Sequence, residues 1–159
     1  MSRALTLAPL TQNDLPRVAH VRVAADQLIY SGSVEEAFEA AEAGVGFHGI
    51  FLDEDAVGFF KIDRGYAARF PFVPTGSVGL RAFMVDLAHQ GQGIATRAVA
   101  ALPAYLRREY RGAAALYLTV NKVNPGARRA YLKGGFVDTG QEWPHGDAGP
   151  QHVMRMTLT

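Results

Sequence analysis

The sequence predicts a single mixed α/β domain, spanning residues 1–159 and built on one central sheet. With 159 residues, 48% of them hydrophobic, the chain is long enough for one domain with a core and too short for two. Strand patterns come first as a hairpin and later alternate with helical patterns, which is typical of a mixed sheet. Near the middle, an apolar strand passes through a glycine-rich turn into an amphipathic helix.

The first forty residues predict one strand and two helices. A strand is expected over Arg3–Ala8. Thr11, with an acid three residues later, reads as a capping-box variant that begins a helix from Gln12 to about Ala25. Ser33 is an N-cap for a second helix over Val34–Ala43, which glycines then end.

A hairpin and an irregular segment follow. Strands are expected over Phe47–Leu52 and Ala56–Ile62, joined by the acidic turn Asp53–Asp55. Residues 64–76 contain two prolines and are expected to be irregular.

The central stretch is the most informative part of the chain. A strand over Val78–Val85 leads into the turn Gln90–Ala95, and a helix runs from Thr96 to about Tyr110, with Pro103 expected to kink it. Two glycines let the turn bend tightly and approach a ligand. The free N–H groups of the first helical turn, together with the helix dipole, then make a cradle for phosphate.

The last third predicts a parallel crossover and two closing strands. A buried strand over Ala115–Val120 is followed by a helix over Pro125–Lys133, with Asn124 as N-cap and Pro125 at the first helical position. Strands over Phe136–Trp143 and His152–Leu158 end the domain.

Composition excludes several classes of protein. The chain has no cysteine, which excludes a disulfide scaffold, a thiolate zinc site and a cysteine nucleophile. The five histidines lack metal-ligand spacing, so no metal is expected. No apolar run has the length of a signal peptide or a membrane span, so we expect a soluble cytoplasmic protein with no membrane partner.

Two motifs resemble those of the GNAT family of acetyl-CoA-dependent N-acetyltransferases. Gln90, Gly93 and Ala95 fill the fixed places of the family's Gln/Arg-x-x-Gly-x-Gly/Ala signature. The turn lacks the third glycine of a dinucleotide fold and the Gly-Lys-Ser/Thr of a Walker loop. A second motif looks like the family's strand–helix signature near the C-terminus: Asn121, Asn124, Ala127, Tyr131, Gly135 and Phe136.

The resemblance implies the GNAT fold. This is a mixed central sheet of about six to seven strands flanked by about four helices, with the strands at 78–85 and 115–120 splayed apart. It also implies transfer of an acetyl group from acetyl-CoA to a primary amine, by direct attack in a ternary complex. The residues expected to bind acetyl-CoA are Phe83, Met84, Val85, Gln90, Gly91, Gln92, Gly93, Ile94, Ala95, Thr96, Asn121, Asn124 and Arg128. For Asn124 itself, helix capping is favoured over a ligand contact.

The resemblance also suggests catalytic roles. Tyr131 is expected to be the general acid that protonates the departing thiolate, although a half-buried aromatic packed on the sheet would look the same. The N–H of Val85, or a neighbouring one, is the expected oxyanion donor. No residue in the sequence is marked as the general base, and the candidates are Glu142, His145, His152, Asp26 and Tyr30. Of these, Glu142 is included in the predicted catalytic set.

Charge is divided between the two halves of the chain. Residues 26–63 hold nine acids and one base, whereas residues 87–137 hold eight bases and one acid. The basic half would suit the phosphates of coenzyme A, and the acidic half would suit a cationic acceptor. For most of these residues taken singly, a solvated helix face is the better explanation.

Several acceptors and one other class of function stay open. A polyamine or another small amine is favoured weakly as acceptor, and a peptide or protein N-terminus and an aminoglycoside-like amine are alternatives. A non-catalytic sensor of acyl-CoA is the alternative of another class. A nucleic-acid partner is not expected, because the basic segment has no interleaved aromatic platform. A homodimer is compatible with the sequence.

Overall fold

One seven-stranded sheet organises the molecule. The computed structural model describes residues 3–159. The strands are β1 (Leu5–Leu10), β2 (Val45–Leu52), β3 (Asp55–Asp63), β4 (Val78–Val85), β5 (Ala115–Asn121), β6 (Val137–Trp143) and β7 (Gln151–Thr157). They lie in the order β1-β2-β3-β4-β5-β7-β6. Only β4 and β5 are parallel, and the other neighbouring pairs are antiparallel. The predicted mixed α/β class is confirmed.

Helices cover both faces of the sheet. Those within the described residues are α1 (Leu15–Val18), α2 (Leu28–Ser31), α3 (Val34–Glu39), α4 (Tyr66–Arg69), α5 (Ile94–Glu109) and α6 (Pro125–Gly134). Two of them, α5 and α6, have ten or more residues, and α5 continues through Pro103. The helix α4 lies in a segment that we expected to be irregular.

The first predicted helix is shorter than its sequence pattern suggests. Thr11 and Asp14 form the predicted capping box, but the α-helix ends at Val18 rather than near Ala25. The backbone of Arg22 is used elsewhere: its N–H donates to Asp86 Oδ1 at 3.3 Å, and its carbonyl accepts from the Leu87 N–H at 2.6 Å. These long-range hydrogen bonds take the place of helical ones and tie this segment to the end of β4.

Two apolar clusters pack on opposite faces of the sheet. On one face, Leu102 and Leu106 of α5 are fully buried in a cluster that includes Phe60. On the other face, Phe38 of α3 packs on Phe47 and Phe59, with ring centroids 4.5 and 5.8 Å away. The sheet is therefore covered on both sides, which fixes the directions in which side chains of β3 and β4 point.

A buried polar contact holds α5 against β2. His48 of β2 lies between two tyrosine hydroxyls, with its Nδ1 2.6 Å from Tyr105 and its Nε2 2.7 Å from Tyr110. Its ring also stacks on Phe60. Burial lowers the pKa of His48 from 6.5 to about 4, so the imidazole is neutral in the folded protein at neutral pH.

Among residues 3–159, no helix is both long enough and apolar enough to span a lipid bilayer.

Candidate active site

The central cavity lies where β4 and β5 separate. The two strands pair only through Val78 with Leu116 and Gly79 with Tyr117. Beyond that point β4 stays paired with β3, and β5 with β7. A cavity of about 1210 Å³ is lined by both strands, by α2 and α6 and by the turn before α5. The splayed strands expected from the sequence are confirmed.

A bulge in β4 accompanies the separation. Phe59 pairs with Met84 and Lys61 pairs with Arg81, so two residues of β4 stand opposite a single residue of β3. One of the two, Ala82, has a φ of 52°, a conformation that residues other than glycine rarely adopt. A bulge bends its strand and interrupts the ladder, which leaves backbone groups near the cavity available to a ligand.

The turn after β4 has the properties of an anion cradle. Gly91 and Gly93 have φ values of 79° and 75°, and a Cβ added at either would meet no atom within 4 Å. Within residues 3–159, the backbone N–H groups from Gly91 to Thr96 have no hydrogen-bond acceptor. They lie just before and within the first turn of the sixteen-residue helix α5, whose dipole favours negative charge at this end. These residues fit the diphosphate of a nucleotide-containing ligand.

Gln90 closes this turn. Its side-chain amide donates to the Val85 carbonyl at 3.2 Å, and its own N–H donates to the Leu87 carbonyl at 3.3 Å. The first residue of the predicted cradle is therefore already hydrogen-bonded, and the free donors begin one residue later.

The residues predicted to bind acetyl-CoA divide into two groups. Those that line the cavity are Phe83, Met84, Val85, Gln90, Gly91, Ala95, Asn121 and Asn124. The remainder, Gln92, Gly93, Ile94, Thr96 and Arg128, lie outside its lining. Arg128 is the clearest departure, because its guanidinium donates to Asp138 at 2.9 Å and points toward β6.

Asn124 does not cap α6 as expected. Its side chain makes no capping hydrogen bond, and its backbone has φ −120° and ψ 65°. The side chain instead lines the cavity beside Asn121, which accepts from Gln151 at 3.4 Å. The preference for a capping role is corrected by this geometry, and the amide of Asn124 stays available to a ligand.

Tyr131 lies where the cavity meets the parted strands. It projects from α6 and packs edge to face on Phe83 and Phe136, with ring centroids 5.8 and 5.6 Å away. Burial raises the pKa of Tyr131, with the nearby phenol of Tyr66 adding to the effect. The hydroxyl is therefore protonated at neutral pH and can donate a proton but cannot act as a base.

Three of the five candidates for the base do not line this cavity. Asp26 and Tyr30 line it, and Asp26 is the one carboxylate among the lining residues. Glu142 lies exposed on β6, where it pairs with Lys122. His145 packs against Trp143, and His152 lies 3.7 Å from Asp138. Because Glu142 does not line the cavity, the structure gives no support to its predicted catalytic role.

Several lining residues were missed by the sequence reasoning. Four of them are basic or phenolic groups that the motifs do not mark: Lys61, Tyr66, Arg69 and Arg81. The charge count of residues 26–63 suggested an acidic surface here, but the acids Glu42 and Asp63 are bound to these arginines and do not line the cavity. Only the pairing of β3 with β4, which the sequence does not specify, brings Lys61 beside Arg81.

Among residues 3–159, no group of three or more histidine, aspartate or glutamate side chains could hold a metal ion.

Comparison with known proteins identifies the family. The model of the acetyltransferase (GNAT) family matches residues 15–136. The chain belongs to this family. The match confirms the predicted class, an acyltransferase, and agrees with acetyl-CoA as its co-substrate. No curated protein sequence matches the chain.

Solved structures share the fold over nearly the whole chain. An aminoglycoside acetyltransferase, AAC(6')-Ib, in complex with paromomycin and acetyl-CoA has a TM-score of 0.78 at 19% identity, covering 97% of this chain and 93% of that one. A spermidine N-acetyltransferase from Vibrio cholerae, in complex with CoA and spermine, has a TM-score of 0.70 at 19% identity, with 97% and 95% covered. At these identities the likeness shows the fold. The single-domain extent, the cytoplasmic location and a homodimer stay predictions.

Proposed function

We propose that this protein transfers an acetyl group from acetyl-CoA to the primary amine of a small molecule, in a ternary complex without an acetylated enzyme. The observation that carries the proposal is the cavity at the β4–β5 split. The cavity extends from the N–H groups of Gly91 and Ala95, which have no acceptor among residues 3–159, to the side chains of α2 and α4. Donor and acceptor can therefore occupy it together. The small amines bound by the structural neighbours support an acceptor of this kind.

The donor would lie along the parted strands. Its diphosphate would take the donors that begin at Gly91, and its amides would pair with backbone groups that β4 and β5 do not share. Asn121 and Asn124 line the same stretch and offer side-chain amides. Acetyl-CoA supplies the thioester.

Transfer requires two proton movements. The amine nitrogen bonds to the acetyl carbon as the carbon–sulfur bond breaks, the amine gives up a proton, and the thiolate takes one. We assign the second step to Tyr131, whose hydroxyl is protonated at neutral pH and lies on the cavity. We assign the first to Asp26, the carboxylate that lines the cavity, acting directly or through water. The N–H of Val85 is our candidate for stabilising the developing oxyanion.

Tyr131→Phe tests the assignment. We expect kcat to fall by roughly 10²-fold or more, with the KM for acetyl-CoA little changed, because loss of a positioned general acid costs about that much. Tyr117→Phe is the matched control, since Tyr117 is buried on β5 but does not line the cavity. Turnover is followed as thiol release from acetyl-CoA with a panel of amines.

The same assay separates this function from a sensor of acyl-CoA. Tight binding of coenzyme A with no thiol release on any amine would favour the sensor and overturn the proposal. Unchanged turnover in Tyr131→Phe would remove Tyr131 from the mechanism while leaving the activity in place.

A further inference from the structure

A cationic wall forms one side of the cavity. We use this name for Lys61 of β3, Arg69 of α4 and Arg81 of β4, all of which line the cavity. Lys61 and Arg81 stand opposite each other in the β3–β4 pair, so their side chains project from the same face of the sheet. The carboxylates that pair with the wall, Glu42 and Asp63, do not line the cavity.

These two carboxylates are occupied by the two arginines. Asp63 is fully buried, and its Oδ2 accepts from Arg69 at 2.7 Å and from Arg81 at 3.1 Å. Its Oδ1 accepts from the Gly65 N–H at 2.8 Å. Glu42 accepts from Arg81 through both oxygens, at 3.0 and 3.2 Å, and from Arg69 at 2.8 Å. Each carboxylate therefore already accepts three hydrogen bonds, which leaves about one further acceptor site on each.

Lys61 is the third cation of the wall. It is only 7% exposed, and its ammonium has three N–H donors. Among residues 3–159 it has a single polar contact, 3.5 Å from a Glu42 oxygen that also accepts from Arg81. Burial first, and repulsion from Arg81 second, lower the pKa of Lys61. A buried ammonium with one long contact for its three donors is costly, so folding alone does not account for a lysine at this position.

The charge of the wall is also unbalanced. The three cations Lys61, Arg69 and Arg81 pair with two carboxylates, Glu42 and Asp63. One positive charge is left over, and Lys61, whose contact is the longest, is the cation least compensated. The missing partner is an anion in the cavity. A carboxylate would suit the position, because its two oxygens can accept from the ammonium and from a neighbouring guanidinium together.

We propose that the acceptor is an amino acid, a small molecule that carries a carboxylate as well as the primary amine, and that Lys61 and the arginines beside it bind that carboxylate. The inference rests on the proposed function and narrows its acceptor. Among the described residues that line this cavity Asp26 is the only acid, so the cavity offers one acidic group to an amine and a basic wall to an anion. A polyamine would instead bring further positive charge to that wall.

Matched pairs of substrates test the carboxylate directly. Amino acids with one to five carbons between amine and carboxylate are compared with their primary amides, by thiol release from acetyl-CoA. For the chain length that fits, we expect the acid to exceed its amide by at least tenfold in kcat/KM. An aminoalkyl phosphate of the same length and spermidine complete the panel. An amide or spermidine equal to or better than every acid, or a phosphate better than its carboxylate, overturns the proposal.

Lys61→Met tests the residue. Methionine keeps the length of the apolar stem, so we expect a stable protein with unchanged affinity for coenzyme A, in which the acid loses its advantage over the amide. Lys133→Gln is the control, since Lys133 is an exposed lysine of α6 outside the cavity lining. If Lys61→Met still prefers the acid to the amide and is much less stable than the wild type, Lys61 has a structural role and the proposal is overturned.

Binding without turnover separates this inference from the proposed function. Affinities for the acid and the amide are measured calorimetrically with coenzyme A bound, when no acetyl group can move. Selective binding of the acid without any acetylation would leave the anion site standing and defeat the proposed activity. Acetylation of amines without selective binding of the acid would support the proposed activity and overturn the anion site.

Discussion

The buried histidine on β2 should make the stability of this protein depend on pH. His48 is 3% exposed, and burial lowers its pKa from 6.5 to about 4. The unfolded chain takes up a proton below pH 6.5, while the folded protein resists it. The stability present above pH 6.5 is therefore lost progressively as the pH falls toward about 4.

The size of the effect follows from the two pKa values. The difference between the pKa values of His48 in the unfolded and folded protein corresponds to about 3 kcal/mol of unfolding free energy, at 1.36 kcal/mol per pKa unit. At pH 5 the loss is about 2 kcal/mol, because part of the titration range still lies below that pH. For a domain whose free energy of unfolding is about 5–15 kcal/mol, such a loss is easily measured.

Urea unfolding at pH 7.5 and pH 5.0 measures it. The wild type should lose about 2 kcal/mol between the two pH values. His48→Phe should be less stable at both, because Tyr105 and Tyr110 lose their partner, and its stability should change little between them, because the buried imidazole is gone. His145→Gln, at an exposed histidine, should keep the wild-type slope. The carboxyls of Asp14, Glu42 and Asp138 have lowered pKa values, so their contributions are lost at lower pH. A wild type equally stable at both pH values would refute the reasoning.

Two further substitutions test the site and its support. Asp26→Asn should lower kcat with little change in the KM for acetyl-CoA, and Asp26→Glu should keep part of the wild-type kcat. If the pH–rate profile of Asp26→Asn is identical to that of the wild type, Asp26 is not the base. Gly134→Ala should lose about 1–3 kcal/mol and also activity, because its methyl would lie 2.3 Å from Val99 and push α6 off α5. Thermal unfolding measures the stability. The control is Gly126→Ala, whose methyl group would have Arg129 as its nearest neighbour, at 3.9 Å. A melting temperature of Gly134→Ala equal to that of the wild type would contradict the close packing of α6 on α5.

Local patterns predicted the elements that local interactions determine. The strand Val78–Val85 has the predicted bounds, and α5 begins at Ile94, two residues before the predicted start. Glycines at 91 and 93 signalled the turn because their positive φ values are a backbone requirement that few other residues meet. The Ser33 cap is also present, since its hydroxyl accepts from the Glu36 N–H at 3.1 Å.

Long-range contacts decided what the sequence could not predict. The sequence pattern predicted a helix over residues 12–25, but hydrogen bonds between Arg22 and the residues that follow β4 end it early. The nine acids of residues 26–63 suggested an acidic surface for a cationic acceptor. That interpretation was wrong for Glu42, which binds Arg81, 39 positions later in the sequence. Which acids face the cavity and which neutralise buried arginines depends on the register of β3 against β4. That register is a tertiary property.

The short pairing of β4 with β5 has a consequence for the whole molecule. Two rungs of parallel ladder are all that join the first four strands to the last three within the sheet. The weakest join of the sheet therefore lies at its centre, where most sheets are strongest. A donor molecule that hydrogen-bonds to both edges would act as an eighth strand inserted in the middle. Until it binds, the two parts of the sheet are held together chiefly by the apolar cluster beneath α5.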